Sequence, residues 1–197
     1  MSSLAQKKFV TPEEYLAIER TAQTKSEYFR GEMFAMVGAS REHNLIAGNV
    51  SRQAGNQLRE RPCEVYQSDM RVKITPTGLY AYPDVVIVCG EPNFEDAHVD
   101  TLLNPTVLFE VLSESTENYD RGKKFEHYRR LQSLREYVLI AQDTFHVEKF
   151  TRQQDGRWML WETYDSEDSV QLESIGCELP VQEIYAKVNL KQAPDVS

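Results

Sequence analysis

No stretch of about eighteen consecutive apolar residues occurs in the 197-residue chain, which argues against a membrane-spanning helix. The opening MSSLAQKKF lacks the apolar core of a secretory leader, so a cytoplasmic location is expected. Cysteine is scarce, and Cys63, Cys89 and Cys177 form no C-x-x-C pair. Cys89 ends an apolar run and Cys177 follows a glycine, so each is expected to be a small apolar filler in a reducing compartment. The histidines at 43, 98, 127 and 146 show no zinc-ligand spacing. A P-loop, a dinucleotide glycine fingerprint and a nucleophile elbow are all missing.

Positive charge is also in deficit. The chain has 22 Lys and Arg against 31 Asp and Glu, a net charge of −9, which argues against a protein that coats nucleic acid by charge alone. The deficit is uneven. From Glu136 onward there are 12 acidic and 5 basic residues, whereas Asp120 to Arg135 carries 6 basic residues against 2 acids. A polyanion could approach there, whereas most charge runs of this kind are solvated faces. The available donors are Arg121, Lys123, Arg129 and Arg130, with Arg41, Arg52 and Arg59 earlier in the chain.

The remaining pattern reads as one α/β domain built on a mixed sheet. VTPEEYLAIE predicts a helix with Thr11 as N-cap, Pro12 at the first position, Glu14 closing a capping box and Val10 stapled onto Tyr15. SEYFRGEMFAM predicts two short strands turning at Arg30-Gly31. A helical period runs through Leu45, Ile46, Val50, Ala54 and Leu58, where Gly48, Gly55 and Asn56 suggest a close neighbour. Strands are expected near residues 64–67, 70–75, 83–88 and 106–112, then a helix from about Ser115 to Ser133 with Phe125, Tyr128 and Leu131 inward. EYVLIAQ, HVEKFTRQ, RWMLWETY and SVQLES predict further strands before a short terminal helix. Trp158 and Trp161 are spaced to face opposite sides of their strand, so packing is expected of them before base stacking.

Two of these strands carry an anomaly. AYPDVVIV and TVLFEVLS each hold one carboxylate, Asp84 or Glu110, among strong β-formers. Laid side by side they would bring both acids to one point, where like charges raise a pKa unless a cation intervenes. Oxygen ligands of this kind suit Mg²⁺ or Mn²⁺, which activates water and offsets phosphoryl charge. The alternative is that Asp84 caps a strand end and Glu110 pairs with a basic neighbour. Lys123 and Lys124, early in the next helix, are placed to reach the pair. They point about 100° apart, so one at most faces it.

The segments YPDVVIV, FEVLSEST, YDRGKKFEHYRRL and REYVLI, together with the TPEEYLAIE opening, resemble the Uma-two family of bacterial restriction-endonuclease-like proteins. The resemblance covers roughly Phe9 to Tyr185. It implies a PD-(D/E)XK-type fold: a restriction-endonuclease-like mixed β-sheet flanked by helices, with extra C-terminal strands. It also implies a single domain with its core at about 9–185 and short tails. Asp84 would be the acid of the P-D strand and Glu110 that of the E-x-K strand. Leu112 stands where the superfamily keeps its lysine, and the D-R-G-x-K start of the next helix matches the relocated position at Lys124, with Lys123 as competitor. Glu27 matches the N-terminal acid, and His43 the histidine that follows the E-x-x-x-G-E hairpin.

The function so implied is a Mg²⁺-dependent (Mn²⁺ as substitute) endonuclease acting on DNA. Asp84, Glu110, Glu27 and the Val111 main-chain carbonyl would hold the metal. Lys124 would position or activate the water that displaces the 3′ oxygen. His43, Arg121, Lys123 and Arg52 would contact nucleic acid, and a homodimer would supply two sites. The missing lysine at 112 and the acidic surface motivate the competing expectation, a catalytically silent binding or assembly module.

Overall fold

The computed structural model describes residues 9–190. Helix α1 (Pro12–Glu19) opens on a closed capping box: the Glu14 N–H donates to Thr11 Oγ1 at 3.2 Å and the Thr11 N–H to the Glu14 carboxylate at 2.9 Å. Val10 packs on the Tyr15 cluster, as the staple requires. The hairpin of β1 (Ser26–Phe29) and β2 (Glu32–Ala35) turns at Arg30 and Gly31, whose φ values of 48° and 87° suit a two-residue turn. A Cβ at Gly31 would also stand 2.3 Å from the Phe9 ring. Helix α2 (Arg41–Leu58) buries Ile46, Val50, Ala54 and Leu58 along one stripe. Among the described residues the close neighbour expected at Gly48 and Gly55 is absent, because a Cβ at either would meet nothing within 4 Å.

Six strands follow: β3 (Cys63–Gln67), β4 (Arg71–Ile74), β5 (Leu79–Ala81), β6 (Val85–Cys89), β7 (Thr101–Leu102) and β8 (Val107–Leu112). β5 and β7 are too short for their alternation to show in the sequence. The helix expected to Ser133 is shorter and irregular: α3 (Glu117–Tyr119), a π-helical segment (Asp120–Lys124) and α4 (Phe125–Tyr128). The chain closes with β9 (Glu136–Ala141), β10 (Val147–Arg152), β11 (Trp158–Thr163), β12 (Ser169–Leu172), β13 (Cys177–Pro180) and α5 (Val181–Ile184).

The main sheet runs β11-β10-β9-β8-β6-β3 and is mixed, β8 and β9 being parallel and the other neighbours antiparallel. A second sheet runs β2-β1-β5-β4-β7, and β12 pairs with β13 alone. One face of the main sheet packs under α2, the β12–β13 hairpin and α5. The other meets the second sheet and the segment from Phe125 to Leu134, with Tyr128, Leu131 and Tyr137 buried between. This is the α/β fold expected, a mixed sheet flanked by helices with added C-terminal strands. No helix among the described residues is long and apolar enough to cross a membrane.

The cysteines need a correction. The antiparallel register of β3 and β6 sets Cys63 opposite Cys89, their Cα atoms are 4.0 Å apart, and the two are disulfide-bonded. Twenty-six positions of sequence separation hid this, because only strand register brings them together. Cys177 is buried and free, the filler it was expected to be.

Candidate active site

Two apolar strands place the carboxylates. Val85 of β6 lies opposite Phe109 of β8, and the Asp84 N–H donates to the Phe109 carbonyl at 3.1 Å, so the register carries on to set Asp84 across from Glu110. Glu110 shares its face with Leu108 and Leu112 and is only 4% exposed. Asp84 is held at both oxygens: the Val111 N–H donates to Oδ2 at 2.7 Å, and His43 Nε2 stands 2.7 Å from Oδ1. His43 projects from the first turn of α2, where Ser40 caps the helix by accepting its N–H at 3.0 Å.

The lysine comes from the π-helical segment. Its widened turn lets Asp120 and Lys124 bury together, 3.4 Å apart. Lys124 Nζ lies 2.9 Å from Glu110 Oε1 and 3.1 Å from Glu27 Oε1, so the ammonium sits between three carboxylates. Tyr128, one turn further on, donates its hydroxyl to Glu110 Oε1 at 2.8 Å, and Tyr137 donates to the Asp120 carbonyl at 3.2 Å. Lys123, next in sequence, is exposed. The helical segment therefore selects Lys124 over Lys123 as the lysine facing the acids.

The electrostatics follow from burial. Desolvation raises the Glu110 pKa well above the carboxylate range, and Asp120 and Asp84 add to the rise against the opposing pull of Lys124. For Lys124 burial acts downward, but Glu110 first, then Tyr128, Glu27 and Asp120, outweigh it and hold the ammonium well above its ordinary pKa. Three carboxyl groups thus contact one buried ammonium, with Asp84 beside Glu110 as a fourth acid of the cluster. Glu27 Oε1 is a buried acceptor with no hydrogen bond, its contact with Lys124 being one of charge alone. An orphaned oxygen within an all-carboxylate donor set fits a hard divalent cation such as Mg²⁺ or Mn²⁺.

The other expected residues fare differently. His43 is bound to Asp84, not left free for a strand. The Arg121 guanidinium, expected to contact nucleic acid, pairs with Glu117 at 3.0 Å and, in a short contact, with Glu148. Arg52 is exposed on α2, and Val111 joins the cluster through its N–H. Sequence reasoning missed Asp120 and Tyr128, which only the helix geometry brings to Glu110. It also missed a His–Glu–Glu group, His146, Glu148 and Glu162, whose ligand atoms lie within 4.8 Å of one another. That group is assembled across the β10–β11 pair, where Glu148 stands opposite Glu162, and so leaves no local spacing to find. A cavity of about 600 Å³ opens at the C-terminal ends of β8 and β9, bordered by Glu42, Leu112, Ser113, Arg121, Gln142 and His146.

Comparison with known proteins agrees with this architecture. The family model "Uma2: Putative restriction endonuclease" matches residues 12–182. A Synechocystis protein, sll1609, is 38% identical over 162 residues, covering 82% of this chain and 92% of that protein. A second Synechocystis protein, slr1290, is 35% identical over 176 residues, covering 89% of this chain and 91% of its own length. Among solved structures, one described as a "putative nuclease belonging to DUF820" from Anabaena variabilis superposes with a TM-score of 0.74 at 16% identity, over 89% of this chain and 97% of that one.

Proposed function

The chain belongs to the Uma2 family, and from that premise we propose that it is a divalent-metal-dependent endonuclease that hydrolyses DNA phosphodiester bonds at the Asp84–Glu110–Lys124 cluster. The observation that carries this reading is the buried excess of carboxylates around one lysine, with Glu27 Oε1 left without a hydrogen bond. Asp84 and Glu110 would hold Mg²⁺ or Mn²⁺, with Glu27 and the Val111 carbonyl as further oxygen donors. Bound there, the cation would supply charge neutralisation at the phosphate and a more acidic water.

The protein's own groups divide the remaining work. Because its neighbours keep Lys124 protonated, its role is to orient the attacking water and offset phosphate charge, not to take a proton. His43 fixes the Asp84 carboxylate, and Tyr128 fixes Glu110, so both acids are held in place before substrate arrives. The water oxygen bonds to phosphorus and releases one proton to solvent as the bond to the 3′ oxygen breaks, and the departing 3′ oxygen takes up a proton from solvent. Residues 9–185 act as one domain in this reading, and a two-fold dimer would place one such cluster on each strand.

A second reading has an observation of its own. The Lys124 ammonium already lies between Glu27 and Glu110, and both Asp84 oxygens are engaged, as a silent binding module would have them. Plasmid cleavage with Mg²⁺ or Mn²⁺ decides between them. The nuclease reading expects nicking and linear product from the native protein, and a loss of at least about 100-fold in Asp84→Asn and Glu110→Gln. Cleavage at undiminished rate in both variants removes these residues from the mechanism. No cleavage and no metal binding at millimolar concentration favours the module.

A further inference from the structure

A cavity of about 650 Å³ lies away from the carboxylate cluster, lined by Phe125, Arg129, Arg130, Phe150, Arg157 and Trp158. It joins guanidinium groups and aromatic rings in one place. Three guanidinium groups line it, and Arg129 and Arg130 have no carboxylate partner among the described residues, Asp155 offsetting Arg157 alone at 2.6 Å. Three half-buried aromatic rings form its wall: Phe125 packs 4.5 Å from Phe150 and edge-on to Trp158 at 5.3 Å.

The cationic rim is held in position from below. Arg152 stacks its guanidinium 4.8 Å above the Trp158 ring and donates to the Arg129 and Leu131 carbonyls at 2.6 and 2.7 Å, fixing the turn that carries Arg129 and Arg130. Its Nε is buried without a partner, and burial together with Arg135 lowers its pKa, so positive charge is crowded here with too few anions. Arginine planes and aromatic faces beside an anion requirement are the chemistry of an unpaired nucleotide: a phosphate for the guanidiniums and a base face for the rings.

The pocket also stands at a useful distance from the cluster. Phe150 pairs with Tyr137, which pairs with Leu108, two residues before Glu110 on β8. Ordinary strand spacings put the Phe150 and Glu110 Cα atoms about 12 Å apart. A DNA strand could bridge that distance with only a few nucleotides.

We propose that this arginine and aromatic pocket is an accessory site for an unpaired segment of a DNA strand. The proposal rests on the nuclease reading above for its choice of polyanion. It is tested without catalysis, by binding of a fluorescent oligothymidylate to the full chain in EDTA, so failure of cleavage and failure of the pocket are told apart. The triple variant Arg129→Gln, Arg130→Gln, Arg157→Gln is expected to bind about tenfold or more weakly, with a log-log salt dependence shallower by about 2. In a Trp161→Phe background, which leaves Trp158 as the sole tryptophan, the oligothymidylate is expected to quench emission where sodium sulfate does not. Unchanged affinity in the triple variant overturns the proposal. So does the absence of quenching, or equal quenching by a fully paired duplex or by polyglutamate.

Discussion

Lys124 and Lys123 are adjacent and chemically identical, yet their surroundings give them opposite prospects. Lys124 is 5% exposed and touches three carboxylates, whereas Lys123 faces solvent. Removing one partner of a buried charge pair costs about 3–5 kcal/mol, because the remaining charges are left uncompensated. Lys124→Met is therefore expected to lower the unfolding free energy measured in urea by an amount of that order and to abolish cleavage. Mg²⁺ should raise its melting temperature more than that of the native protein, since the ion would replace the lost charge. Lys123→Met is expected to stay within about 0.5 kcal/mol of native stability. Equal loss in the two variants would show that the cluster does not depend on Lys124. The sequence narrows the choice to two lysines but cannot make it, because the π-helical turn that aims Lys124 inward is a property of the backbone.

At the scale of elements, local signals were legible wherever they act locally. The capping box of α1, the Arg30-Gly31 turn and the alternation of β10 and β11 all follow from neighbouring residues, and Trp158 and Trp161 do fall on opposite faces. The failures came from pairing. Cys63 and Cys89 meet through strand register, and β5 and β7 exist because neighbouring strands complete them. Helix α2 offers a direct trial of the corrected expectation about its glycines. With no neighbour within 4 Å of a methyl added at Gly48 or Gly55, alanine at either position should be accommodated. Each substitution is expected to stabilise the protein by about 0.5–1 kcal/mol through helix propensity. A lowered urea midpoint in both would mean that another group contacts that face.

The whole molecule is bound across its sheets by buried charges, and one of them makes stability depend on pH. Glu136, fully buried at the start of β9, accepts from the Glu173 N–H at 3.2 Å and the Ser174 N–H at 3.3 Å, tying the turn after β12 to the main sheet. Burial, with Glu173 adding to it, pushes the carboxyl from 4.5 up to about 7. For an acid whose folded pKa is raised, the stabilisation is complete below the unfolded value and is lost as pH rises through the folded one. Stability should therefore fall between about pH 5 and pH 8, by at most about 3 kcal/mol from this group. Glu136→Gln is expected to flatten that part of the profile in chemical denaturation. A native profile already flat there, or a variant with the same slope, would assign the pH dependence elsewhere.

The sequence alone determined the family, the mixed α/β character and the two acids that interrupt apolar strands, because these are written in local composition and in short contiguous motifs. It also located the basic stretch from Asp120 to Arg135, though not which of its residues are free: Arg121 is tied to Glu117 and Glu148, whereas Arg129 and Arg130 stand unpaired by carboxylate, among the described residues, at the rim of a cavity. Only the tertiary structure decided that Lys124 faces the acids, that Tyr128 and Asp120 join them, and that Cys63 bonds to Cys89. Each of those depends on strand register or helix phase, and both are set by the packing of residues far apart in the chain.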